Sequence, residues 1–279
     1  MTGRHRVPAH APRSAVVTGA ARGIGAAIAA ELVGRGYRVL VTDLDPAAAQ
    51  ATADRIGAVA GLAHDVTDPA DAHAVVARAR AIAPLGAWVA NAGVGFDGAL
   101  TELTEEHARA LVGVNVLGPV WGARAAVAAF REQAAAGTAR GGEIGVTVSL
   151  AGLGPAPGLS LYAASKAAAL SVVSGLAAEL RPDGIGVHGV CPAGVDTDLL
   201  RGMETGGRAQ ALVCSGRLVS PEQVAGALVG MFGTSRVYRT LPAGRGVVSR
   251  LTAWLPGPTL RLEPVLRARG ARRARSLRG

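Results

Sequence analysis

The chain contains a single lysine, Lys166, against 28 arginines, and only two asparagines, Asn91 and Asn115. It has two cysteines, Cys191 and Cys214, and aromatic residues make up 3% of its 279 positions. Two cysteines so placed exclude a disulfide framework and a metal site by spacing, and they fit a reducing cytoplasm. With few rings available, the core must be built mostly from Ala, Val and Leu, whose short side chains let helices and sheet approach closely. The first residues lack the apolar stretch of a secretion signal, since Val7 is followed by Pro8, His10 and Pro12. No apolar run is expected to reach the length of a membrane span, so a cytoplasmic location is the expectation.

The net charge of +9 is unevenly spread. Residues 1–13 carry three arginines and no acid; residues 261–279 carry seven arginines and one acid; the body, 14–260, has 19 basic and 19 acidic residues. A neutral body argues against a nucleic-acid-binding domain. The basic C-terminus is either a solvated tail or a weak contact for an anionic surface.

Short apolar runs alternate with helical patterns along the chain. Ser14 to Thr18, Arg38 to Thr42, Gly61 to Ala63, Ala87 to Ala90, Ile144 to Val148, Ile185 to Val190 and Val237 to Leu241 read as strands. Helices are expected from Ile24 to Leu32, Pro46 to Ile56, Asp68–Pro69 to Ile82, after Thr104, from near Asn115 to Ala135, from Tyr162 to Leu180, and from Ser220–Pro221 to Phe232. Such alternation predicts an α/β fold: one doubly wound parallel sheet with helices on both faces. The expected organisation is a basic flexible N-terminus (1–13), one catalytic domain (14–242) and an Arg-rich extension (243–279) in which regular periodicity fades.

The sole lysine follows Tyr162 by four residues, a spacing that chance would give in roughly 1% of such chains and that therefore points to a motif. On a helix the pair shares a face, and an ammonium beside a phenol is expected to lower the tyrosine pKa. Thr18-Gly19-Ala20-Ala21-Arg22-Gly23-Ile24-Gly25 lies between the first strand and first helix, where glycines let the backbone approach a pyrophosphate and the helix N-terminus supplies donors. Asp43, at the end of the second strand, is placed to accept hydrogen bonds from ribose hydroxyls and to repel a 2′-phosphate.

Taken together, these motifs resemble those of the compact short-chain dehydrogenase/reductases, over about residues 14–241. Thr18 to Gly25 looks like the family's TGxxxGxG turn, and Tyr162-Ala163-Ala164-Ser165-Lys166 like its YxxSK. Asp65-Val66 is similar to an adenine-contacting pair, and Asn91-Ala92-Gly93 to the NAG after the fourth strand. Asn115 and Ser149 match the family's catalytic asparagine and serine. One departure is Pro192-Ala193-Gly194-Val195-Asp196-Thr197, where the family commonly has PGxVxT; Ala193 stands where a glycine is usual and is expected to narrow the nicotinamide side.

The resemblance implies a Rossmann-like fold and an NAD(P)-dependent oxidoreductase that interconverts a secondary alcohol and a ketone. Asn115, Ser149, Tyr162 and Lys166 would be catalytic. Gly19, Arg22, Gly23, Ile24, Gly25, Asp43, Asp65, Val66, Asn91, Ala92, Gly93, Tyr162, Lys166, Pro192, Gly194, Val195 and Thr197 would contact the dinucleotide, and no metal is implied. Asp43 favours NAD, while Arg22 leaves NADP open. Phe96, the loop Ala151 to Leu159, and Leu199, Leu200, Met203, Leu212 and Val213 suggest a lipophilic small-molecule substrate. The family's helices starting near Asn115 and Ser165 imply a homodimer or homotetramer. A non-catalytic dinucleotide sensor on the same fold is the competing expectation.

Overall fold

The computed structural model describes residues 12–195, 213, 218–255, 257, 261 and 268. In order these form β1 (Ser14–Thr18), α1 (Gly23–Gly34), β2 (Arg38–Asp43), α2 (Pro46–Ile56), β3 (Ala60–Ala63), α3 (Pro69–Ile82) and β4 (Leu85–Ala90). Then come α4 (Glu105–Val112), a π-helical turn (Gly113–Leu117), α5 (Gly118–Ala135), β5 (Gly142–Thr147), a 3₁₀ turn (Leu150–Leu153), α6 (Ser160–Glu179) and β6 (Ile185–Pro192). The last described elements are α7 (Pro221–Val229), β7 (Tyr238–Leu241) and α8 (Ala243–Trp254).

Helix starts follow local chemistry. Asp45 accepts from Ala47 N and Ala48 N, and Asp68 from Ala70 N, each ahead of a proline in the first turn. Ser220 and Gln223 form a reciprocal capping box at α7.

Seven parallel strands run in the order β3-β2-β1-β4-β5-β6-β7. The order reverses between β1 and β4, so a crevice opens there beyond the strands' carboxyl ends. One face is covered by α3, α5 and α6 around Trp88, Phe130 and Ile144, the other by α1, α2 and α7 around Ile28, Leu32 and Leu228. Small residues set the spacing: a Cβ on Gly122 would enter the Trp88 indole, and one on Gly142 the Phe130 ring.

Three expectations need correction. Helices α4 and α5 are one continuous helix through the π turn, where the sequence suggested two. Residues 243–254 are helical rather than irregular, and α8 packs against the 3₁₀ turn, with Gly154 lying against Thr252 Oγ1. Two helices, Glu105–Ala135 and Ser160–Glu179, do reach membrane-spanning length and apolarity (mean hydropathy 1.3 and 1.4). Alanine supplies much of that apolarity, and both helices contribute side chains to the buried core on one sheet face. Arg13 is tied to the domain, since its Nη2 donates to Leu85 O (3.0 Å) and Gly141 O (2.8 Å).

Candidate active site

The expected site residues that fall among the described residues gather along the carboxyl ends of β1 to β6. Gly19 and Gly23 adopt left-handed backbones (φ +59° and +57°), a conformation open to glycine without strain. A Cβ on Gly19 would stand 2.6 Å from Ala92 Cα, so this turn and the strand end after β4 touch through bare backbone. Gly25 is equally enclosed, by Gly19 O, Asn91 Nδ2 and Ala20 Cα. Ile24 packs into the core beneath. Arg22 is the extended N-cap of α1 and makes no side-chain cap, and no acid lies in the first turn. The helix thus presents its first N–H groups and positive dipole end to the crevice, as an anion requires.

Asp43 Oδ2 accepts from Ala21 N (3.0 Å), which fixes the carboxylate beside the same turn. Asp65 Oδ1 accepts from Thr67 N (2.9 Å) and Thr67 Oγ1 (2.7 Å), making a local turn after β3. Val66 packs where α5 begins, with its Cγ2 3.1 Å from a Cβ placed on Gly118. A buried dinucleotide phosphate needs donors, a ribose needs an acceptor, and close approach needs missing side chains. The uncapped helix, Asp43 and the glycine turn supply these, so the residues fit such a cofactor.

Asn91 joins three strands. Its Nδ2 donates to Thr18 O (3.0 Å) and Gly19 O (2.9 Å), and its Oδ1 accepts from Thr147 Oγ1 (3.0 Å). Thr18 Oγ1 accepts from both Asn91 N (3.1 Å) and Ala92 N (3.0 Å). Asn115, fully buried in the π turn, accepts from Val94 N (3.0 Å) and donates to Val94 O (2.9 Å) and Ser165 Oγ (3.0 Å). Ser165 Oγ in turn donates to Tyr162 O (2.7 Å). Pro119 has no N–H, so the Asn115 main-chain carbonyl lacks its α-helical donor at i+4.

Ser149 caps the 3₁₀ turn, accepting from Ala151 N (3.1 Å), and its hydroxyl lies beside the Tyr162 phenol. A Cβ on Gly152 would stand 2.7 Å from the Lys166 carbonyl carbon, so the turn lies flush on α6 and holds Ser149 against Tyr162. Lys166 Nζ donates to Thr147 O (3.0 Å) and lies 5.9 Å from the Tyr162 ring centroid. A Cβ on Gly93 would come within 3.3 Å of that Nζ and 3.2 Å of Asn115 Oδ1.

The electrostatics overturn one expectation. Burial raises the Tyr162 pKa, with the Ser149 hydrogen bond only partly opposing it. Burial also lowers the Lys166 ammonium to about 8. In this arrangement desolvation sets the direction of the phenol's shift, and the ammonium is spent on the Thr147 carbonyl.

Pro192 ends β6, Gly194 O accepts from Val219 N (2.9 Å), and Val195 bridges Val219. The Ala193 methyl packs against both cores, which absorbs the departure from glycine. Thr197, Leu199, Leu200, Met203 and Leu212 lie outside the described residues. Around Tyr162, Ala156, Leu159 and Ala163 form an apolar cluster joined by Ala151 and Val213. Phe96 stacks on His107 at 4.1 Å, and Gly98 N donates to Gly158 O (3.1 Å), closing the cluster's loop against the loop after β4. Sequence reasoning missed Thr18 and Thr147 as the acceptors and donors that lock the asparagines and lysine. Their place at the last residues of β1 and β5 was the available signal.

The short chain dehydrogenase family model matches residues 13–206. The 3-oxoacyl-[acyl-carrier-protein] reductase FabG of Escherichia coli is 33% identical, over 81% of this chain and 92% of its own. The protein described as inactive 2-(S)-hydroxypropyl-CoM dehydrogenase 2 of Xanthobacter autotrophicus is 36% identical over 74% and 91%. Among solved structures, the 3-ketoacyl-(acyl-carrier-protein) reductase of Brucella melitensis, complexed with NADH, superposes with TM-score 0.73 at 30% identity, covering 84% of this chain and 98% of the other. A short chain dehydrogenase/reductase of Burkholderia phymatum, in complex with NAD, gives 0.75 at 28% identity, over 86% and 92%. The chain belongs to the short chain dehydrogenases, NAD(P)-dependent oxidoreductases acting on CH–OH groups.

Proposed function

We propose that the protein reduces a lipophilic ketone to a secondary alcohol with NADH, with Tyr162 as the proton donor. The observation that carries this reading is the Ser149 hydroxyl beside the Tyr162 phenol, set next to the buried Lys166 and bordered by the apolar Ala156–Leu159–Ala163 cluster. The dinucleotide, when bound, supplies the hydride to the carbonyl carbon. Ser149 donates to the carbonyl oxygen and stabilises charge growing there. Tyr162, kept protonated at neutral pH by burial, gives its proton to that oxygen as the hydride arrives. Alcohol oxidation needs the phenolate and is therefore favoured at higher pH. Lys166 binds the ribose of the nicotinamide half, and the Asn115 carbonyl without its α-helical donor holds a water that returns a proton through Lys166.

Gly19, Arg22, Gly23, Ile24, Gly25, Asp65, Val66, Asn91, Ala92, Gly93, Pro192, Gly194, Val195 and Thr197 complete the dinucleotide site in this reading. Asp43, held by Ala21 N, selects NAD over NADP. The Brucella melitensis and Burkholderia phymatum relatives carry NADH and NAD, which supports that preference. The reading includes a cytoplasmic homodimer or homotetramer. An exposed stripe of small residues on α6, Ala164, Ala167, Ser171, Ser174 and Gly175, supports close helix pairing.

The test follows reduced-nicotinamide absorbance with a panel of lipophilic ketones, for the native protein and Tyr162→Phe. Turnover lost by at least about a thousandfold in the variant, with NADH affinity nearly unchanged, is expected. Turnover retained without the phenol would sink the assignment. NADH binding without turnover across the panel would favour the sensor.

A further inference from the structure

Gly152, Gly154 and Gly246 stand where the backbone does not require glycine. None of them has a positive φ, and Gly154 is extended (φ −174°), a conformation open to any residue. Inside a helix, as at Gly246, glycine is destabilising relative to alanine. What each provides is a missing Cβ. On Gly152 that atom would stand 2.7 Å from the Lys166 carbonyl carbon. On Gly154 it would enter Ser249 O and stand 2.9 Å from Thr252 Oγ1. On Gly246 it would enter Thr240 Oγ1 and stand 2.6 Å from Thr240 Cβ. Bare-backbone contacts thus run in a line from α6 through the 3₁₀ turn to α8 and on to β7.

That line passes through the segment that carries Ser149. The entry to the turn is fixed on β6, where Val148 N donates to Val190 O (2.8 Å). Within the turn, Gly152 N donates to Ser149 O (3.1 Å) and Ala151 N to Ser149 Oγ (3.1 Å). The exit, at Gly154, rests on α8. Helix α8 is in turn seated on β7, through Gly246 on Thr240 and through the Arg250 guanidinium 5.1 Å from the Tyr238 ring centroid. Thr240 pairs with Cys191 of β6. The frame therefore closes on itself, from β6 through the turn, α8 and β7 back to β6.

We propose that α8 positions Ser149 for the reaction: Gly154 seated on the Ser249 carbonyl, and Gly246 seated on Thr240, hold the 3₁₀ turn so that the serine hydroxyl stays beside the Tyr162 phenol. Gly154, Gly246, Ser249 and Thr240 are positioning residues, since they act through Ser149. The inference rests on the role given to Ser149 above. A reacting group misplaced by about 1 Å can cost on the order of a hundredfold in rate. A loosened frame therefore shows in turnover while the dinucleotide side of the crevice, built on β1, β2 and β4, is left in place.

The test compares Gly246→Ala with the double variant Gly246→Ala, Thr240→Gly in the full-length protein. The added methyl meets Thr240 Cβ, which no side-chain rotation moves away, so α8 must shift by about 0.8 Å to reach ordinary contact at 3.4 Å. Two quantities are read: kcat per NADH-binding site, with acetophenone, 2-octanone and cyclohexanone as probes, and hydrogen exchange of amides 150–154 by mass spectrometry. In Gly246→Ala, kcat should fall by at least about tenfold, exchange should quicken by at least about tenfold, and NADH affinity should stay within about twofold. Thr240→Gly removes every atom the methyl meets, so the double variant should regain both quantities even though a glycine weakens β7. Activity that followed melting temperature instead would overturn the proposal, because α8 would then matter only to folding. Gly244→Ala, on the same helix with nothing within 4 Å of the new methyl, should change neither quantity. Unchanged exchange in Gly246→Ala, or quickened exchange with full turnover, would also overturn it. Ser149→Ala separates this inference from the reading beneath it. Turnover kept in Ser149→Ala removes the serine's role, whereas turnover lost there and kept in Gly246→Ala removes only the positioning by α8. With no probe turned over by the native protein, exchange alone decides whether α8 holds the turn.

Discussion

Replacing Lys166 with methionine should make the protein more stable and inactive. Lys166 is 5% exposed, and burial moves its pKa from 10.5 to about 8. That shift corresponds to about 3 kcal/mol of destabilisation at neutral pH, where both folded and unfolded chains hold the proton. Methionine keeps the length of the side chain and removes the charge. It also strips Thr147 O of its bond from Nζ, at a cost of about 1 kcal/mol. The variant should therefore gain about 2 kcal/mol at pH 6.5, or about 4–8 °C in melting temperature. The sign of the pH dependence follows from the lowered pKa. Between about 8 and 10.5 the unfolded chain binds more protons than the folded one, so the lysine's penalty is full below 8 and fades as pH rises. Between pH 6.5 and 9.5 the gap between variant and native protein should narrow by about 2 kcal/mol. Cys191, which burial pushes up to about 12, pulls stability the other way above its ordinary 9.0; losing Lys166, which lowers that thiol, leaves it protonated at pH 9.5 in both folded proteins, so this pull is nearly equal in the two. Urea unfolding at the two pH values measures the gap. A gap that does not change with pH, or a variant less stable at pH 6.5, would refute the assignment of Lys166 as a buried charge held against its solvation preference.

Two further substitutions probe the dinucleotide half. Asp43→Ala removes the carboxylate that Ala21 N holds, and the ratio of NADP to NAD use should rise by at least about tenfold in steady-state assays; an unchanged ratio would remove Asp43 as the selector. Gly25→Ala would drive a methyl into Gly19 O and to 2.5 Å from Asn91 Nδ2, so a loss of about 2 kcal/mol in stability and of dinucleotide binding is expected by calorimetry. Gly34→Ala, on the same helix with nothing within 4 Å of the new methyl, is the matched control and should not lower either.

The strands and most helix starts were legible because local chemistry decides them. Asp45-Pro46 and Asp68-Pro69 combine a cap with a preformed first turn, and the observed starts fall at those prolines. The joint between α4 and α5 was not legible for the same reason. The sequence suggests a new helix starting near Asn115, yet the π turn there carries the chain through without a break. Whether such a turn forms is decided by Asn115 bonding Val94 and Ser165, contacts 21 and 50 residues away along the chain. Helix α8 was passed over although Val247, Val248, Leu251, Trp254 and Leu255 keep helical spacing, because Pro242, Gly244 and Gly246 before them and Pro256 and Pro258 after them read as breakers. At the site, spacing placed Tyr162 and Lys166 on one face but could not reveal the sign of the tyrosine shift. That sign depends on how much solvent the fold removes, which is a tertiary quantity.

The scarcity of lysine and asparagine has a physical counterpart in these positions. In a chain that otherwise uses arginine for every basic side chain, Lys166 stands where Nζ fits between Thr147 O and the Gly93 backbone. A guanidinium there would bring five donors into a space offering few acceptors, and it could not shed its proton. The two asparagines are held by a similar constraint. Asn91 donates to Thr18 O and Gly19 O while accepting from Thr147, and Asn115 donates to Val94 O and Ser165 while accepting from Val94 N. Aspartate cannot donate these bonds when ionised, and threonine or serine cannot supply two donors with an acceptor. Each would leave buried strand-end groups unpaired, at a cost of about 1–3 kcal/mol apiece. The residues this composition uses least are therefore placed where the more abundant alternatives fail on donor count, and those places are the joints that align β1, β4, β5 and α6 around the crevice.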